Sequence, residues 1–291
     1  MYSIKTLNKI SPLGLEMQPR AEYEISSEIS NPDGIILRSF SMHDMELPAS
    51  LKAVARAGAG VNNIPIEKCT ERGIVVFNTP GANANGVKEL VLAGLFLSSR
   101  KIIPGIEWAK TLVGNGDQVP KMIEKGKSQF AGPEIKGKTL GVIGLGAIGV
   151  MVSNDASALG MNVIGYDPFI SVERAWKLSR TTQKAVSLDD LIANSDYITI
   201  HAPLTDETKG MINGFKFALM KKGVRILNFA RNGLVNNADL RDAIEQGIVG
   251  NYVTDFADEE LLQMDNVISM PHLGASTPES EDNCAMMAAA Q

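Results

Sequence analysis

The chain of 291 residues holds only two cysteines, two tryptophans and three histidines, and aromatic residues make up 5% of it. Two cysteines, Cys69 and Cys284, are too few for a disulfide framework and lack the spacing of metal ligands, so they read as reduced structural thiols. Long apolar runs are also missing. The longest clean one, "LVLAGLFL" at 90–97, falls far short of the roughly 20 residues that span a bilayer. The opening "MYSIKTLNKI" has no apolar signal-peptide core. Positive charge is not in surplus either: 28 Lys and Arg stand against 33 Asp and Glu, a net of −5. Nothing in that balance draws nucleic acid or an anionic membrane surface. The densest basic stretch, residues 121–138, is broken by acids, Gly and Pro, and reads as a solvated loop. Neither repeats nor low-complexity tracts occur. These absences leave a cytoplasmic enzyme or small-molecule binding protein as the expectation.

What is present is alternation. Short β-rich runs lie at 34–40, 51–58 and 73–79, then at 139–146, 162–167, 197–203, 223–230, 251–256 and 266–270. Several are apolar at consecutive positions, as strands covered on both faces of a parallel sheet require. Between them lie segments of helical period such as 146–160 and 237–247. The pattern predicts an α/β fold of two doubly wound parallel-sheet domains. A long helix over 86–110 bridges them. The expected division is residues 1–86 with 274–291 as a substrate (lid) domain and residues 87–273 as a Rossmann NAD-binding domain. A last helix follows a cap at Ser276 or Thr277.

The run "TLGVIGLGAIGVM" carries Gly144, Gly146 and Gly149 in the spacing G-x-G-x-x-G, with Ala147 and Ile148 between the last two. The first glycine permits a tight turn, the second lets backbone approach a pyrophosphate, and the third lets helix pack on strand. Flavin and S-adenosylmethionine sites use similar turns. Here a strand precedes the turn, a helical pattern follows, and Asp167 ends the next strand. A carboxylate there accepts hydrogen bonds from both adenosine ribose hydroxyls and repels a 2′-phosphate, which favours NAD over NADP.

Ligands of open α/β sheets sit beyond the carboxyl ends of the strands. The polar groups at those positions are His201, Arg231, the acids of "DFADEE" (255–260) and His272. Together they suit hydride transfer at a 2-hydroxy acid. An arginine clamps the substrate carboxylate, a histidine takes the hydroxyl proton, and a carboxylate on the far imidazole nitrogen fixes the tautomer. Singly, Arg231 also suits a surface turn, the acids a solvated helix start, and His272 an ordinary turn.

At these residues the sequence resembles the D-isomer-specific 2-hydroxyacid dehydrogenases. The likeness runs through "RAGAGVNNI" (56–64), "RGIVVFNTPGANANGVKELV" (72–91), "LGVIGLGAIG" (140–149), "DYITIHAPLTDETKGMIN" (196–213), "LNFARNGLVNNADL" (227–240) and "MPHLGAST" (270–277). The resemblance implies a smaller flavodoxin-like substrate domain beside the Rossmann domain, with a cleft between that closes about hinges near 84–90 and 272–276. It implies Arg231 as catalytic arginine and His272 as acid/base. It implies Glu260 as the carboxylate behind the histidine, with Glu259 still open because the proline that usually follows is absent. Ala147, Ile148, His201, Ala202, Phe229, Ala230 and Asp255 match cofactor-side positions. Ala59 and Gly60 match a loop facing the substrate carboxylate, and Asn83 a substrate-side asparagine. Asn62 and Lys88 depart from the usual residues.

Members that act on 3-phosphoglycerate carry an Arg-Ser pair after a first-domain strand, and Arg38-Ser39 matches it. The expectation is therefore a small phosphorylated 2-hydroxy acid as substrate, NAD as cofactor, no metal and a homodimer formed through the cofactor domain. Glycerate/hydroxypyruvate, glyoxylate or lactate as substrate, or an NAD-sensing binding protein such as a corepressor, are the alternatives. The sequence stops inside or just after its last helical segment, and the reading expects no C-terminal regulatory domain.

Overall fold

Ile35, Ile36 and Leu37 are all buried, but not in one place. Ile35 and Leu37 join one apolar cluster with Val54, Ile64 and Cys69, whereas Ile36 joins Ala57, Cys284 and Ala285 in another. The strand's two-residue period sends alternate side chains to opposite faces, and both faces are covered. This is the physical content of a consecutive apolar run.

The computed structural model describes residues 1–291 and divides into two units, residues 1–87 with 274–291 and residues 88–273. The first unit holds β1 (Tyr2–Leu7), α1 (Pro12–Leu15), β2 (Tyr23–Ser26), β3 (Gly34–Leu37), β4 (Ala53–Arg56), α2 (Ile66–Glu71) and β5 (Val75–Asn78). Its five strands are parallel in the order β2-β1-β3-β4-β5, so the order reverses between β1 and β3. The strands at 2–7 and 23–26 go beyond the runs expected from the sequence. Ser3, Lys5 and Glu24 break the apolar pattern there, and β2 is a sheet edge.

A helix expected over 86–110 is instead two, α3 (Ala84–Ser99) and α4 (Ile102–Lys110). Pro104 accounts for the break. In a continuous helix its ring would meet the carbonyl of residue 100, whereas in the first turn of α4 its missing N–H costs nothing. The basic stretch is not a loop throughout, since α5 (Val119–Gly126) covers part of it with Pro120 in its first turn. Its lysines and glutamate are good helix formers, which outweighs the flanking Gly and Pro.

The second unit continues through β6 (Thr139–Ile143), α6 (Ala147–Ala158), β7 (Asn162–Tyr166), α7 (Val172–Ala175), β8 (Gln183–Lys184), α8 (Leu188–Asn194), β9 (Tyr197–Ile200), α9 (Gly214–Phe217), β10 (Val224–Asn228), α10 (Asn237–Glu245), β11 (Val249–Thr254), α11 (Glu259–Leu262) and β12 (Val267–Ser269). All seven strands are parallel, ordered β12-β11-β10-β9-β6-β7-β8. The order reverses between β6 and β9, and that switch point is where doubly wound sheets open a crevice. Lys88 pairs with Asp155 at 3.1 Å and so ties α3 to α6.

The last helix, α12 (Pro278–Ala290), returns to the first unit. Thr277 caps it by accepting from the Ser280 amide. Gly14 lets α1 approach closely: a Cβ there would lie 2.5 Å from the Ala285 carbonyl carbon. Both cysteines are buried and free, and burial pushes both thiols up. No helix is long and apolar enough to cross a membrane.

Candidate active site

The glycine turn sits at the β6/β9 switch point. Gly144 has φ +89° and donates its amide to the Tyr166 carbonyl at 2.9 Å. A Cβ there would lie 2.8 Å from the His201 carbonyl oxygen, so conformation and space both demand glycine. At Gly149 a Cβ would fall on the Gly144 carbonyl oxygen, which is the close helix–strand packing expected of the third glycine. Gly146 differs. Its φ is −70°, and a Cβ would meet nothing nearer than Arg174 Nη1 at 3.9 Å. No protein atom excludes a side chain there, so the open space fits a ligand that approaches the backbone. Gly146 is also the N-cap of α6 and offers no side-chain acceptor. The half-buried first turn at Ala147 and Ile148 therefore has amides that an anion can receive.

Asp167 is half-buried. Its Oδ2 accepts the Leu145 amide at 2.8 Å and its Oδ1 the Phe169 amide at 2.8 Å. The carboxylate is thus both the start of a turn and a clamp on the glycine loop. Each oxygen keeps lone pairs for further donors. His201 donates its amide to the Ile143 carbonyl at 2.7 Å, bridging β9 to β6. Its Nε2 lies 3.0 Å from Thr199 Oγ1, while Nδ1 is buried without a partner. Burial pulls its pKa from 6.5 to about 4, so the ring is neutral near pH 7. Ala202 is half-buried beside it.

A second group lies along the ends of β10, β11 and β12. Buried Asn228 closes β10 and shapes the next turn. Its Nδ2 donates to the Arg231 carbonyl at 2.9 Å and to Tyr252 Oη at 3.1 Å, and its Oδ1 accepts the Ala230 amide at 3.2 Å. Arg231 itself is exposed, with Nη1 2.6 Å from the Ala230 carbonyl. The Phe229 side chain is buried and packs where a Cβ on Gly94 would lie 3.1 Å from its ring. Phe229 therefore has its backbone to offer a ligand, not its ring. Thr254 Oγ1 donates to the Asn228 carbonyl at 2.9 Å and accepts the Phe256 amide at 3.1 Å. The Phe256 ring stands 4.8 Å from the exposed imidazole of His272, tilted by 52°. A bonded relay thus runs from Asn228 through Thr254 to Phe256 and joins the supports of Arg231 and His272. Asp255 is buried within the same run.

Beyond Asp255, three more acids follow β11. Asp258 caps α11 through the Leu261 amide at 2.8 Å and accepts Asn237 Nδ2 at 3.0 Å. Glu259 is exposed, and half-buried Glu260 pairs with Arg241 at 3.1 Å.

In the first unit, Arg38 and Ser39 follow β3, at the β1/β3 reversal. The Arg38 carbonyl accepts Arg56 Nε and Asn63 Nδ2, each at 3.1 Å. Arg38 Nη2 donates to the Ala275 carbonyl at 3.3 Å, and the guanidinium is ion-paired with Glu281. Ser39 is exposed. Ala59 and Gly60 follow β4, where the Ala59 carbonyl accepts Asn78 Nδ2 at 2.6 Å. Asn83 directly precedes α3 and accepts the Val87 amide at 3.3 Å.

Asn228, Thr254, Phe256 and Arg174 were not singled out from the sequence. The available signal for the first two was a polar residue ending an apolar strand, a position that burial makes costly without partners.

Two parallel α/β units, one with a glycine turn and an acid at a Rossmann switch point, define a dinucleotide-binding protein. Residues 101–274 match the profile of the NAD binding domain of the D-isomer specific 2-hydroxyacid dehydrogenases. The chain is 39% identical over 292 residues to a D-3-phosphoglycerate dehydrogenase of Archaeoglobus fulgidus, covering 95% of this chain and 52% of that protein. It spans about half the length of the curated relatives it matches. A cofactor (NAD+) bound 3-phosphoglycerate dehydrogenase of Entamoeba histolytica superposes with TM-score 0.77 at 27% identity, over 100% of this chain and 93% of that one. The D-mandelate dehydrogenase of Rhodotorula graminis shares the fold with TM-score 0.82 at 22% identity, over 99% and 92% of the two chains. The chain belongs to the D-isomer specific 2-hydroxyacid dehydrogenase family, and its cofactor is NAD.

Proposed function

We propose that this protein interconverts 3-phospho-D-glycerate and 3-phosphohydroxypyruvate, the reaction that opens serine biosynthesis. The observation that carries the reading is the relay through Asn228, Thr254 and Phe256, which supports an exposed arginine beyond β10 and an exposed histidine beyond β12, the two strands that flank β11. Kinship with D-3-phosphoglycerate dehydrogenases supports the choice of substrate.

In this reading the first-turn amides of α6 hold the pyrophosphate, with Arg174 as a nearby cation, and Asp167 takes the adenosine ribose. Bound NAD supplies the hydride acceptor. Arg231 holds the substrate carboxylate and polarises the C2 oxygen. His272 takes the hydroxyl proton while the C2 hydrogen leaves with its electron pair; in reduction the proton returns from the imidazolium. Glu260 stabilises that imidazolium, a role supported by its half-burial beside exposed Glu259. Asp255 would hold the nicotinamide carboxamide, and the backbones of His201, Ala202, Phe229 and Ala230 would line the cofactor. Ala59, Gly60 and Asn83 serve the substrate carboxylate side. Arg38 and Ser39 serve the phosphate.

We also propose a homodimer. Ile102, Ile106, Val113 and Ile123, on and between α4 and α5, are large apolar side chains left exposed, and a partner surface would cover them.

NADH oxidation with 3-phosphohydroxypyruvate, measured beside unphosphorylated hydroxypyruvate, tests the function. The proposal expects the larger kcat/KM on the phosphorylated acid. A larger value on hydroxypyruvate would assign the enzyme to glycerate instead, a reading favoured by the ion pair that already occupies Arg38.

A further inference from the structure

Arg38 carries its guanidinium into an ion pair with Glu281, and its Nη2 also donates to the Ala275 carbonyl at 3.3 Å. The Arg38 side chain is 30% exposed and that of Glu281 44%. The planar fork assigned to the substrate phosphate thus already serves a carboxylate of its own chain.

Two anchored backbones bring this pair together. Arg38 leaves β3 with its carbonyl held by Arg56 and Asn63. Glu281 lies in the first turns of α12, whose placement is set on both sides. Ser11 Oγ donates to Asp282 at 2.5 Å, the residue next to Glu281. Gly14 admits Ala285, and Gly86 admits Ser280, whose Oγ would lie 2.8 Å from a Cβ at that glycine. The acid is therefore presented to Arg38 by close packing of α12.

We propose that Glu281 is a specificity-determining residue that sets the charge this subsite accepts. The inference rests on the reading of Arg38 as the phosphate-facing residue. A phosphate dianion that reaches Arg38 meets a guanidinium already neutralised and a carboxylate of its own sign beside it. It binds only by displacing Glu281 from the fork, and Glu281 has an open path into solvent. A substrate that ends in a neutral hydroxymethyl group incurs no such repulsion. Glu281 thus narrows the preference for phosphorylated over unphosphorylated acids without touching the groups that transfer hydride and proton.

Glu281→Gln keeps the size and hydrogen-bonding reach of the side chain and removes its charge. The proposal expects it to lower KM for 3-phosphohydroxypyruvate by about fivefold, the upper end of what one partly exposed ionic contact contributes. KM for hydroxypyruvate should change less than about twofold, as expected of a neutral group. Calorimetric titration of 3-phospho-D-glycerate into the NADH-bound protein should show the same gain in affinity, independent of turnover. In an Arg38→Ala background the same substitution should give no gain. Glu279→Gln removes an exposed acid from the same helix turn and should leave both constants unchanged. An unaltered KM and Kd in Glu281→Gln, with the Arg38→Ala loss intact for the phosphorylated acid, overturns the role of Glu281 alone. An equal gain in the Arg38→Ala background overturns it too. An Arg38→Ala variant that loses both acids equally overturns the phosphate role of Arg38, and this proposal with it.

Discussion

The ring of Phe256 lies 4.8 Å from the ring of His272, at an interplanar angle of 52°. That contact joins the end of β11 to the segment after β12 and limits how an exposed imidazole can turn. The Phe256 amide is itself held by Thr254. Phe256→Ala is therefore expected to lower kcat by about ten- to a hundredfold, the range associated with misplacing a catalytic group by about an ångström. The KM for NADH should stay nearly constant. Steady-state kinetics check this, and a Phe256→Ala enzyme with normal kcat would assign the contact to packing alone.

Gly146 and Gly149 make opposite predictions from one motif. Gly146→Ala enters open space at an ordinary φ. It should cost the fold at most about 1 kcal/mol as an N-cap change, yet raise the Kd for NAD at least about tenfold by blocking the approach of the pyrophosphate. Gly149→Ala drives a methyl onto the Gly144 carbonyl and should cost about 1–3 kcal/mol or more in stability. Thermal unfolding without ligand, paired with NAD titration, separates the two.

Arg174 lies beside the glycine turn at the end of α7, and the nearest atom to a Cβ on Gly146 is its Nη1. Arg174→Gln should weaken NAD binding about three- to tenfold, the range of one partly exposed charge-assisted contact. The loss should shrink as salt is raised. Fluorescence titration of NADH at low and high ionic strength reads both effects.

His201 makes the fold acid-sensitive. Its folded pKa is about 4, below the ordinary 6.5, so the unfolded chain binds the proton more readily. Its stabilising contribution is complete above pH 6.5 and is lost as pH falls toward 4. A shift of that size corresponds to roughly 3 kcal/mol at most. His201→Gln, which cannot be protonated, should flatten the unfolding midpoint between pH 6.5 and 4. An unchanged pH slope in that variant would assign the acid sensitivity elsewhere.

The glycine turn and the strand-end aspartate were legible in the sequence because their demands are local. Gly144, Gly149 and Asp167 answer to backbone conformation, packing and a strand end, all visible within a short run of residues. The apolar strands were legible for the same reason. Tyr2–Leu7 was not, because Ser3 and Lys5 interrupt its pattern, and the break between α3 and α4 turns on one residue, Pro104. The relay of Asn228, Thr254 and Phe256 joins residues from separate strands, and only the sheet register brings them together. Glu281 belongs with these. It reads as a helix-start acid in sequence, and its partner Arg38 lies at the far end of the chain.

The central claim is that His272 carries the proton in hydride transfer to a 2-keto acid. The most direct measurement is NADH oxidation with 3-phosphohydroxypyruvate by the wild-type protein and by His272→Ala, alongside NADH binding by each. The account predicts turnover by the wild type, a loss of about a hundredfold or more in kcat for the variant, and nearly equal NADH affinity for both. A variant that turns over at close to the wild-type rate, with NADH bound as tightly, would contradict it.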